Sequence, residues 1–552
     1  MTNTRGSCTC RTLILFAALS AIFNSAISCQ PFISSIFGCD SSKVTNDVRP
    51  NFIIILADDM GWGDLGANWN PDGMVSDTPY MDKIAADGIR FTDFHSGASV
   101  CSPSRAALLT GRLGKRTGVI HNFGKGAEGG LPLNETTFAE TFRAAGYKTG
   151  MVGKWHLGTK GLYHPYNRGF DFYFGLPYSN DMGCMDDPGG NLPACPACPK
   201  DNSTLLDEAV FKAPSGCDMK LAVPLYNNTS VIEQPVNQTT LTARYTDRAT
   251  AFIKQSAAEK QPFVLYVAFA HMHVPLIYNR TKFGNKSLSR GMYGDVLREM
   301  DYAVADIVSA VQDVSVDKNT LIWFSSDNGP WELKCNFGGS IGPYVGGWQK
   351  EQGGGGSSGK QTVWEGGHRV PSFAYWPGRI KPGQVDDSIL SALDIYPTMA
   401  SIANVNMPTY RKYDGVDVSE VLFSGKKIRN RSLFHPNSGA FGSYGNFDGV
   451  RINGTYKAIF ESGGSPECGG NTGTSASHNP PLIFDIFNDI RELSPLDNTS
   501  ATYAKVMSTL KTVLSDIDLD INKDNTTVVD YNTSSDDWPC CDSKHVVCRC
   551  QN

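Results

Sequence analysis

Three apolar runs, each ending abruptly in polar residues, constrain most strongly how this 552-residue chain can fold. They occupy residues 51–57, 262–270 and 321–324. Runs that are apolar on both faces predict parallel strands covered by helices on both sides. Open α/β sheets place ligand sites just beyond the carboxyl ends of such strands. We therefore expect a site built from the polar residues that follow the three runs.

Helical patterns lie between these runs. Residues 137–145 begin with a capping box formed by Thr137 and Glu140, and the pattern stops at Gly146. A second helix is predicted by an apolar stripe of Val296, Met300, Val304, Ile307, Val308 and Val311. The alternation predicts an α/β fold with a large, mixed but mostly parallel sheet sandwiched by helices.

The pattern changes beyond about residue 425. Segments 456–460 and 482–486 are typical of short strands, and 503–517 of a helix. We predict a smaller C-terminal α+β domain with a short antiparallel sheet and a cysteine-rich tail. The predicted organisation is a signal peptide (1–28), a linker (29–46), a catalytic domain (47–424) and the C-terminal domain (425–552). Segment 184–237, rich in Pro, Asn and Cys, predicts a long surface insertion.

The amino terminus has the pattern of a secretory signal. Arg5 and Arg11 precede the apolar run 13–27, and Ala26-Ile27-Ser28 offers a cleavage site. A retained membrane anchor is the alternative, but the run is short for a span and no later segment is apolar enough to cross a bilayer. We expect a secreted, extracellular or lysosomal protein without a transmembrane anchor.

Asn-x-Ser/Thr sequons favour a glycosylated secretory product. They lie at Asn134, Asn202, Asn227, Asn228, Asn237, Asn279, Asn285, Asn430, Asn453, Asn498, Asn525 and Asn532.

The cysteine count favours a disulfide-bonded protein. Setting aside Cys8 and Cys10 in the signal, and Cys101, leaves twelve of the 15 cysteines, an even number. Cys195 and Cys198 form a Cys-x-x-Cys pair that is also compatible with zinc or redox chemistry, but no second pair stands at zinc-finger spacing. The four cysteines of the tail are expected to staple the C-terminus: Cys540, Cys541, Cys548 and Cys550.

The net charge of -6 gives no basic face, so nucleic-acid binding is not expected. Acidic pairs follow two of the apolar runs: Asp58 with Asp59, and Asp327 with Asn328. Three carboxylates and an amide oxygen are hard ligands, suited to Ca²⁺ or Mg²⁺. Alternatively, paired acids at strand ends are merely solvated or cap helices.

A cysteine motif gives these acids a context. Cys101-Ser102-Pro103-Ser104-Arg105, completed by Leu109-Thr110-Gly111-Arg112, resembles the signature of the sulfatase family. The second sulfatase signature is matched by residues 146–158, which contain Lys154 and His156. The family's His-x-His-x-Pro motif is matched at 271–275, with His273, and a lysine motif at 357–367, with Lys360. Residues 354–360 also approach a phosphate-binding P-loop, but Gln361 replaces its Ser or Thr and no apolar strand leads into it.

The resemblance implies an alkaline phosphatase-like fold and a modified nucleophile. In sulfatases a formylglycine-generating enzyme of the secretory pathway oxidises the cysteine, here Cys101, to formylglycine (3-oxoalanine). One divalent cation, Ca²⁺ in the lysosomal-type relatives, is expected on Asp58, Asp59, Asp327, Asn328 and the modified Cys101. The implied activity is arylsulfatase-type hydrolysis of sulfate esters through a covalent sulfated intermediate.

The resemblance also implies a role for each remaining site residue. Arg105 and His156 orient the formylglycine hydrate, Lys154 and Lys360 neutralise the sulfate, and His273 protonates the leaving oxygen. Residues 175–181 are most similar to the arylsulfatase A and N-acetylgalactosamine-6-sulfatase branch. Ser179 matches a substrate-binding serine there, whereas Asn180 stands where arylsulfatase A has histidine.

Three other functions stay open at this point. A phosphatase or phosphodiesterase of the same superfamily normally uses Ser or Thr and two metals. A catalytically retired sulfatase fold could bind sulfated glycans in the extracellular matrix. A thiol hydrolase fits poorly, because neighbouring acids raise a thiol pKa. The substrate itself could be an aryl sulfate, a sulfated carbohydrate or a sulfolipid, and a homo-oligomer is compatible with the resemblance.

Overall fold

A ten-stranded sheet lies at the centre of the computed structural model, which describes residues 49–71, 73, 75–201 and 218–550. In spatial order its strands are β11 (Gln384–Asp386), β2 (Ile89–Phe91), β10 (Ser372–Tyr375), β9 (Thr320–Ser326), β1 (Asn51–Ala57), β8 (Phe263–Ala268), β4 (Lys148–Gly153), β5 (Phe172–Gly175), β6 (Leu225–Asn227) and β7 (Ser230–Glu233).

The middle of this sheet is parallel and buried. β9, β1, β8, β4 and β5 run in the same direction, and β10, β6 and β7 pair antiparallel to their neighbours. All three predicted apolar runs are therefore confirmed as strands. The registers place Ala57 of β1 opposite Ser326 of β9, and Gly153 of β4 opposite Ala268 of β8, so these strand ends lie at one edge of the sheet.

Helices cover both faces of the sheet, as predicted. The helices of the described residues are α1 (Pro79–Ala86), α2 (Cys101–Thr110), α3 (Gly114–Thr117), α4 (Phe138–Ala144), α5 (Leu241–Ala258), α6 (Arg280–Phe283), α7 (Gly291–Asp313), α8 (Gly347–Glu351), α9 (Glu365–His368), α10 (Ile395–Ala403), α11 (Ser419–Ser424) and α12 (Ala501–Asn522).

The two faces of β1 belong to two different cores. Ile53 and Ile55 pack with residues of α5 and α7, whereas Phe52 and Ile54 pack on the opposite side with residues of α2, α4 and α10. Burial on both sides explains why the strand has no polar alternation. The fold is thus a mostly parallel sheet between two helical layers.

The predicted helices are confirmed with small changes in length. α4 has the capping box of Thr137 and Glu140, with each side chain bonded to the other residue's backbone N–H. The apolar stripe lies on α7. The predicted helix 503–517 is longer, because Ser500 caps the backbone N–H of Tyr503 and the helix continues to Asn522.

A smaller antiparallel sheet follows, as expected. Its strands are β13 (Leu433–His435), β14 (Gly449–Ile452), β15 (Tyr456–Ser462) and β16 (Ala476–Asp485). α12 packs on it through Val506 and Leu510, which share a core with Val450 and Ile483. Two further short strands, β3 (Phe94–His95) and β12 (Leu390–Ser391), pair in parallel. The predicted domain boundary stays a prediction.

Segment 184–237 is more than a surface insertion. Its last part contributes β6 and β7 to the edge of the large sheet, and Leu221, Ala222 and Val223 are fully buried. The correction has a physical reason: these edge strands are too short and too polar to show a strand pattern. Residues 202–217, with the sequon at Asn202, lie outside the described residues.

The predicted disulfide bonding is confirmed for the cysteines that the structure describes outside Cys101. Cys184 bonds Cys198, Cys335 bonds Cys468, Cys540 bonds Cys548, and Cys541 bonds Cys550. Cys195 is also disulfide-bonded, so the Cys-x-x-Cys pair does not form a zinc or redox centre. The tail is stapled as predicted.

The predicted signal peptide and linker lie outside the described residues. Among the helices that are described, none combines the length and apolar character that crossing a bilayer requires.

Candidate active site

The site residues follow the carboxyl ends of four neighbouring parallel strands. Asp58 and Asp59 follow β1, Asp327 and Asn328 follow β9, Lys154 follows β4, and His273 comes five residues after β8. Their side chains are buried to 95% or more. The structure therefore brings together residues that are up to 270 positions apart in the chain, as the strand-end argument predicts.

Cys101 is the first residue of α2 and is completely buried. Its Sγ lies 3.5 Å from Oδ1 of Asp58 and 3.7 Å from Nζ of Lys360. Among the described cysteines it is the free one. Burial raises the pKa of its thiol far above the usual value, even though Lys154 and Lys360 act in the opposite direction. A neutral thiol is a poor nucleophile, which argues against a thiol hydrolase.

Two lysines pair with two of the carboxylates. Nζ of Lys154 lies 2.6 Å from Asp58, and Nζ of Lys360 lies 2.8 Å from Asp59. Burial raises the pKa of both carboxyls, but the neighbouring cations outweigh burial, and the pKa of each falls below its ordinary value. Both acids are therefore ionised and available as ligands.

Arg105 pairs with carboxylates rather than with the sulfur. Its Nε and Nη2 donate to the same oxygen of Asp327 at 3.0 and 2.8 Å, and Nη2 lies 3.5 Å from Asp58. Nη1 also donates to the carbonyl of Lys154 at 2.9 Å. Burial, with Asp58 next, raises the pKa of Asp327. The contacts of Arg105 thus support a role in positioning Asp327 and Lys154.

The two histidines present different atoms to the site. Nε2 of His156 donates to the carbonyl of Phe123 at 3.0 Å, and its Nδ1 is buried without a hydrogen-bond partner among the described residues. Burial, and then Lys154 and Arg105, hold the pKa of His156 well below its usual value. His156 is therefore a neutral ring with an unused acceptor. His273 bonds the carbonyl of Val274 through Nδ1, which directs Nε2 to within 3.5 Å of Asp59.

Several possible ligand atoms of the site lie close enough together to hold a divalent cation. One ligand atom each from Asp58, Asp59, Cys101 and His273 lie within 4.8 Å of one another. Nδ2 of Asn328 donates to Asp59 at 2.7 Å, and the amide oxygen of Asn328 is buried with no hydrogen-bond partner among the described residues. A buried, unmatched amide oxygen beside three carboxylates is a donor set suited to a hard cation.

Ser179 lies beside Lys154, and its predicted role in substrate binding stays a prediction. Nζ of Lys154 donates to its hydroxyl at 3.2 Å. The neighbouring Asn180 is buried and turns Nδ2 towards the carbonyls of His273 and Pro275, at 3.4 and 3.3 Å. Asn180 therefore holds the loop of His273.

Two residues beside this cluster, Trp331 and Lys334, were not predicted from the sequence. The Trp331 ring centroid lies 5.7 Å from that of His273, and Lys334 is 1% exposed. A signal was present, because Trp331 follows the strand-end pair Asp327-Asn328 by only three positions.

Two family models match the chain. One is described as Sulfatase and matches residues 50–405, and the other is described as C-terminal region of aryl-sulfatase and matches residues 429–550.

Individual relatives match most of the chain. It is 51% identical over 513 residues to Arylsulfatase G of Canis lupus familiaris, covering 93% of each protein. It is 38% identical to Arylsulfatase A of Homo sapiens, over 84% of this chain and 86% of that protein. Among solved structures, PsFucS1 sulfatase from Pseudoalteromonas sp. matches with a TM-score of 0.73 and 25% identity, over 87% of this chain and 92% of that one.

Proposed function

This chain belongs to the sulfatase family and is a sulfuric ester hydrolase; from that premise we propose that its nucleophile is a formylglycine hydrate made from Cys101. The observation that carries the proposal is the placement of Cys101 at the amino end of α2, with Asp58 and Lys360 within 3.7 Å of its sulfur. A helix amino end and two nearby lysines favour the developing negative charge of an oxygen nucleophile there.

The carboxylates and Asn328 would hold one divalent cation, which we propose to be Ca²⁺. The ligands are Asp58, Asp59, Asp327 and Asn328, joined by the modified Cys101. When bound, the cation supplies charge that screens repulsion between a sulfate group and an incoming nucleophile. Arg105 supports this arrangement by fixing Asp327 through its two bonds to one carboxylate oxygen.

Lys154 and Lys360 bind the sulfate. Each is buried and paired with a carboxylate, so each ammonium is held in place before substrate arrives. Ser179, bonded to Lys154, adds a hydroxyl donor on the same side. Preorganised donors of this kind stabilise a transition state because they need no reorganisation during the reaction.

His156 and His273 handle protons. The unused Nδ1 of the neutral His156 accepts a hydrogen bond from a hydroxyl of the nucleophile and so orients it. His273, whose Nε2 faces the site, protonates the oxygen of the departing alcohol or phenol. Splitting the hydrolysis into attack and release lowers the barrier of each step.

Maturation of such a site requires a formylglycine-generating enzyme, and hence passage through the secretory pathway. The disulfides support an oxidising compartment, either extracellular or lysosomal. Exposure of the sequon residues Asn134, Asn430, Asn453 and Asn525 supports glycosylation there.

The proposal is tested by mass spectrometry of the peptide containing Cys101, from protein secreted by cells that have the converting enzyme. We expect a peptide about 18 Da lighter than the unmodified thiol form, together with hydrolysis of 4-nitrophenyl sulfate. An intact thiol with no sulfate release would reject the proposal, and parallel assays with 4-nitrophenyl phosphate and with sulfated glycans would identify the phosphatase or the retired binding protein instead.

A further inference from the structure

A short segment after β9 forms one wall of the site and is held rigidly. It consists of Trp331 and the 3₁₀ helix Glu332–Phe337. The carboxylate of Glu332 accepts hydrogen bonds from the backbone N–H groups of Ser358 and Gly359, next to Lys360. The Cys335–Cys468 disulfide ties the same segment to the loop between β15 and β16. Side chains on this segment are therefore preorganised relative to the sulfate-binding lysine.

Trp331 offers a flat face and an unused donor beside the proton donor of the reaction. Its ring centroid lies 5.7 Å from that of His273 and 4.8 Å from Nζ of Lys360. Its Nε1 is buried without a hydrogen-bond partner among the described residues. Buried indole N–H groups usually have a partner, so a partner supplied by a ligand is the simplest explanation.

Lys334 places a second ammonium close to the same indole. The side chain is 1% exposed, and Nζ lies 4.4 Å from the Trp331 ring centroid. Its hydrogen bond goes to the carbonyl of Leu192 at 2.9 Å. An ammonium has three donors, and one carbonyl satisfies only one of them. Burial, and then the charge of Lys360, lower the pKa of Lys334, while Asp181 raises it.

The two cations have different tasks. Lys360 contacts Asp59 and the nucleophile, so its partner is the reacting sulfate. Lys334 contacts neither. Burial and the charge of Lys360 disfavour its ammonium, and the nearby charge of Asp181 offsets this only in part, so an anionic ligand would stabilise it. Because Lys334 lies near Trp331 and does not contact the nucleophile, such an anion would belong to a part of the substrate beyond the reacting sulfate.

We propose that Trp331 and Lys334 form the leaving-group subsite, in which Trp331 packs on the ring bearing the ester and Lys334 pairs with a second anionic group on that ring. The inference rests on the proposed sulfatase function and narrows its substrates. The preferred substrate is a sulfate monoester of a ring-bearing alcohol or phenol, and that ring carries a further carboxylate or sulfate.

Two matched sulfate esters test the requirement for a second charge. They are 3-carboxyphenyl sulfate and its carboxylate methyl ester, which keeps the sulfate charge but lacks the carboxylate charge. Wild-type enzyme should show the higher kcat/KM for the carboxylate. Lys334→Met keeps the packing of the stem but removes the charge, so kcat/KM for the carboxylate should fall about tenfold or more, and that for the methyl ester should stay within about twofold. Lys254→Met, an exposed lysine of α5, is the control. Equal losses on both esters, or no loss on either, would overturn the role of Lys334.

Trp331 is tested with Trp331→Ala, which should raise KM about tenfold for both esters because the ring loses its platform. Unchanged KM for both would refute that role.

Product binding to the wild-type enzyme keeps the inference testable if a variant does not fold or if neither ester is hydrolysed. Competition by 3-hydroxybenzoate should be tighter than by its methyl ester. If neither ester reacts but the carboxylate product binds more tightly, the proposed function fails and the subsite stands. If the two products bind equally, the subsite fails.

Discussion

Three residues of the site hold backbone conformations that side chains normally avoid. Asp59, His156 and Gln361 have φ of 59°, 62° and 76°. The left-handed region costs a non-glycine residue about 1–2 kcal/mol. Each lies next to a strand end or a motif lysine, so the chain turns sharply where it leaves the sheet. Packing must stabilise these turns, and the gain is that adjacent side chains converge on one point.

Replacing Cys101 by serine separates the two halves of the reaction. A serine hydroxyl can attack sulfur, but it lacks the second hydroxyl that expels sulfate and regenerates an aldehyde. We expect Cys101→Ser to lose turnover by at least about 10³-fold and to accumulate a sulfated serine, seen as a peptide heavier by one SO₃ group.

Cys101→Ala is the matched control, because it removes the nucleophile and should stay unsulfated. Steady turnover by the serine variant would contradict the aldehyde mechanism.

The sequence predicts the positions of those site residues that follow directly from the pairing of the strands. Asp58 and Asp327 follow apolar runs, so their convergence follows from parallel pairing. The pairing of Arg105 with Asp327, and the inward position of Lys334, depend on side-chain directions within loops and helices that no local pattern records.

Among the elements, α1 is stabilised by a residue from a different helix. Asp301 of α7 accepts hydrogen bonds from the backbone N–H groups of Tyr80 and Met81, at 3.1 and 2.7 Å. Burial raises the pKa of Asp301 to about 7, although these two hydrogen bonds lower it. The Asp301 carboxyl group that caps α1 therefore has a pKa close to neutral pH.

This cap predicts a pH dependence of stability. Between the ordinary value of 3.8 and about 7, the folded state keeps the proton of Asp301 and the unfolded state releases it. The contribution of Asp301 to the free energy of unfolding therefore falls as pH rises through this window, and is constant above it. We expect Asp301→Asn to reduce the difference in unfolding free energy between pH 5 and pH 7.5 by about 2 kcal/mol, measured by urea denaturation.

Asp306→Asn, at an exposed position of the same helix, should leave that difference unchanged. An equal pH dependence in Asp301→Asn and wild type would rule out this origin.

The sequence predicts elements well where burial is two-sided and badly where it is not. β1 is apolar throughout because both of its faces are covered. β6 and β7 have three and four residues, and the alternating exposure of β7 leaves little hydrophobic signal. Their place at the sheet edge is decided by packing from elsewhere.

Across the whole molecule, a buried lysine links the small sheet to helix α9. Lys457 of β15 is fully buried, with Nζ 3.0 Å from Glu365 of α9 and 2.9 Å from Glu492. Glu365 also pairs with Arg369 and Arg451, each at 2.9 Å. This network lies between the C-terminal sheet and the segment that carries Lys360.

Lys457→Met should destabilise the molecule, because it leaves Glu492 without its cation in a buried place. We expect the free energy of unfolding to fall by about 3 kcal/mol in denaturant titrations. Adding Glu492→Gln should recover part of the loss, because the second variant removes the unpaired charge.

The exposed Lys505→Met of α12 serves as the control and should unfold like wild type. A loss as large in the double variant as in Lys457→Met alone would show that the charge of Glu492 is not the cause.

The complete burial of Cys101 has a consequence for how the molecule is made. An enzyme cannot reach this sulfur once the chain has folded around it, so the proposed enzymatic oxidation would have to be finished before folding. Oxidation and folding would then compete, and under the proposed mechanism a chain that folds before Cys101 is oxidised would stay inactive. The specific activity of a preparation would then report the fraction of molecules that were oxidised before they folded, and slower folding in the cell should raise that fraction.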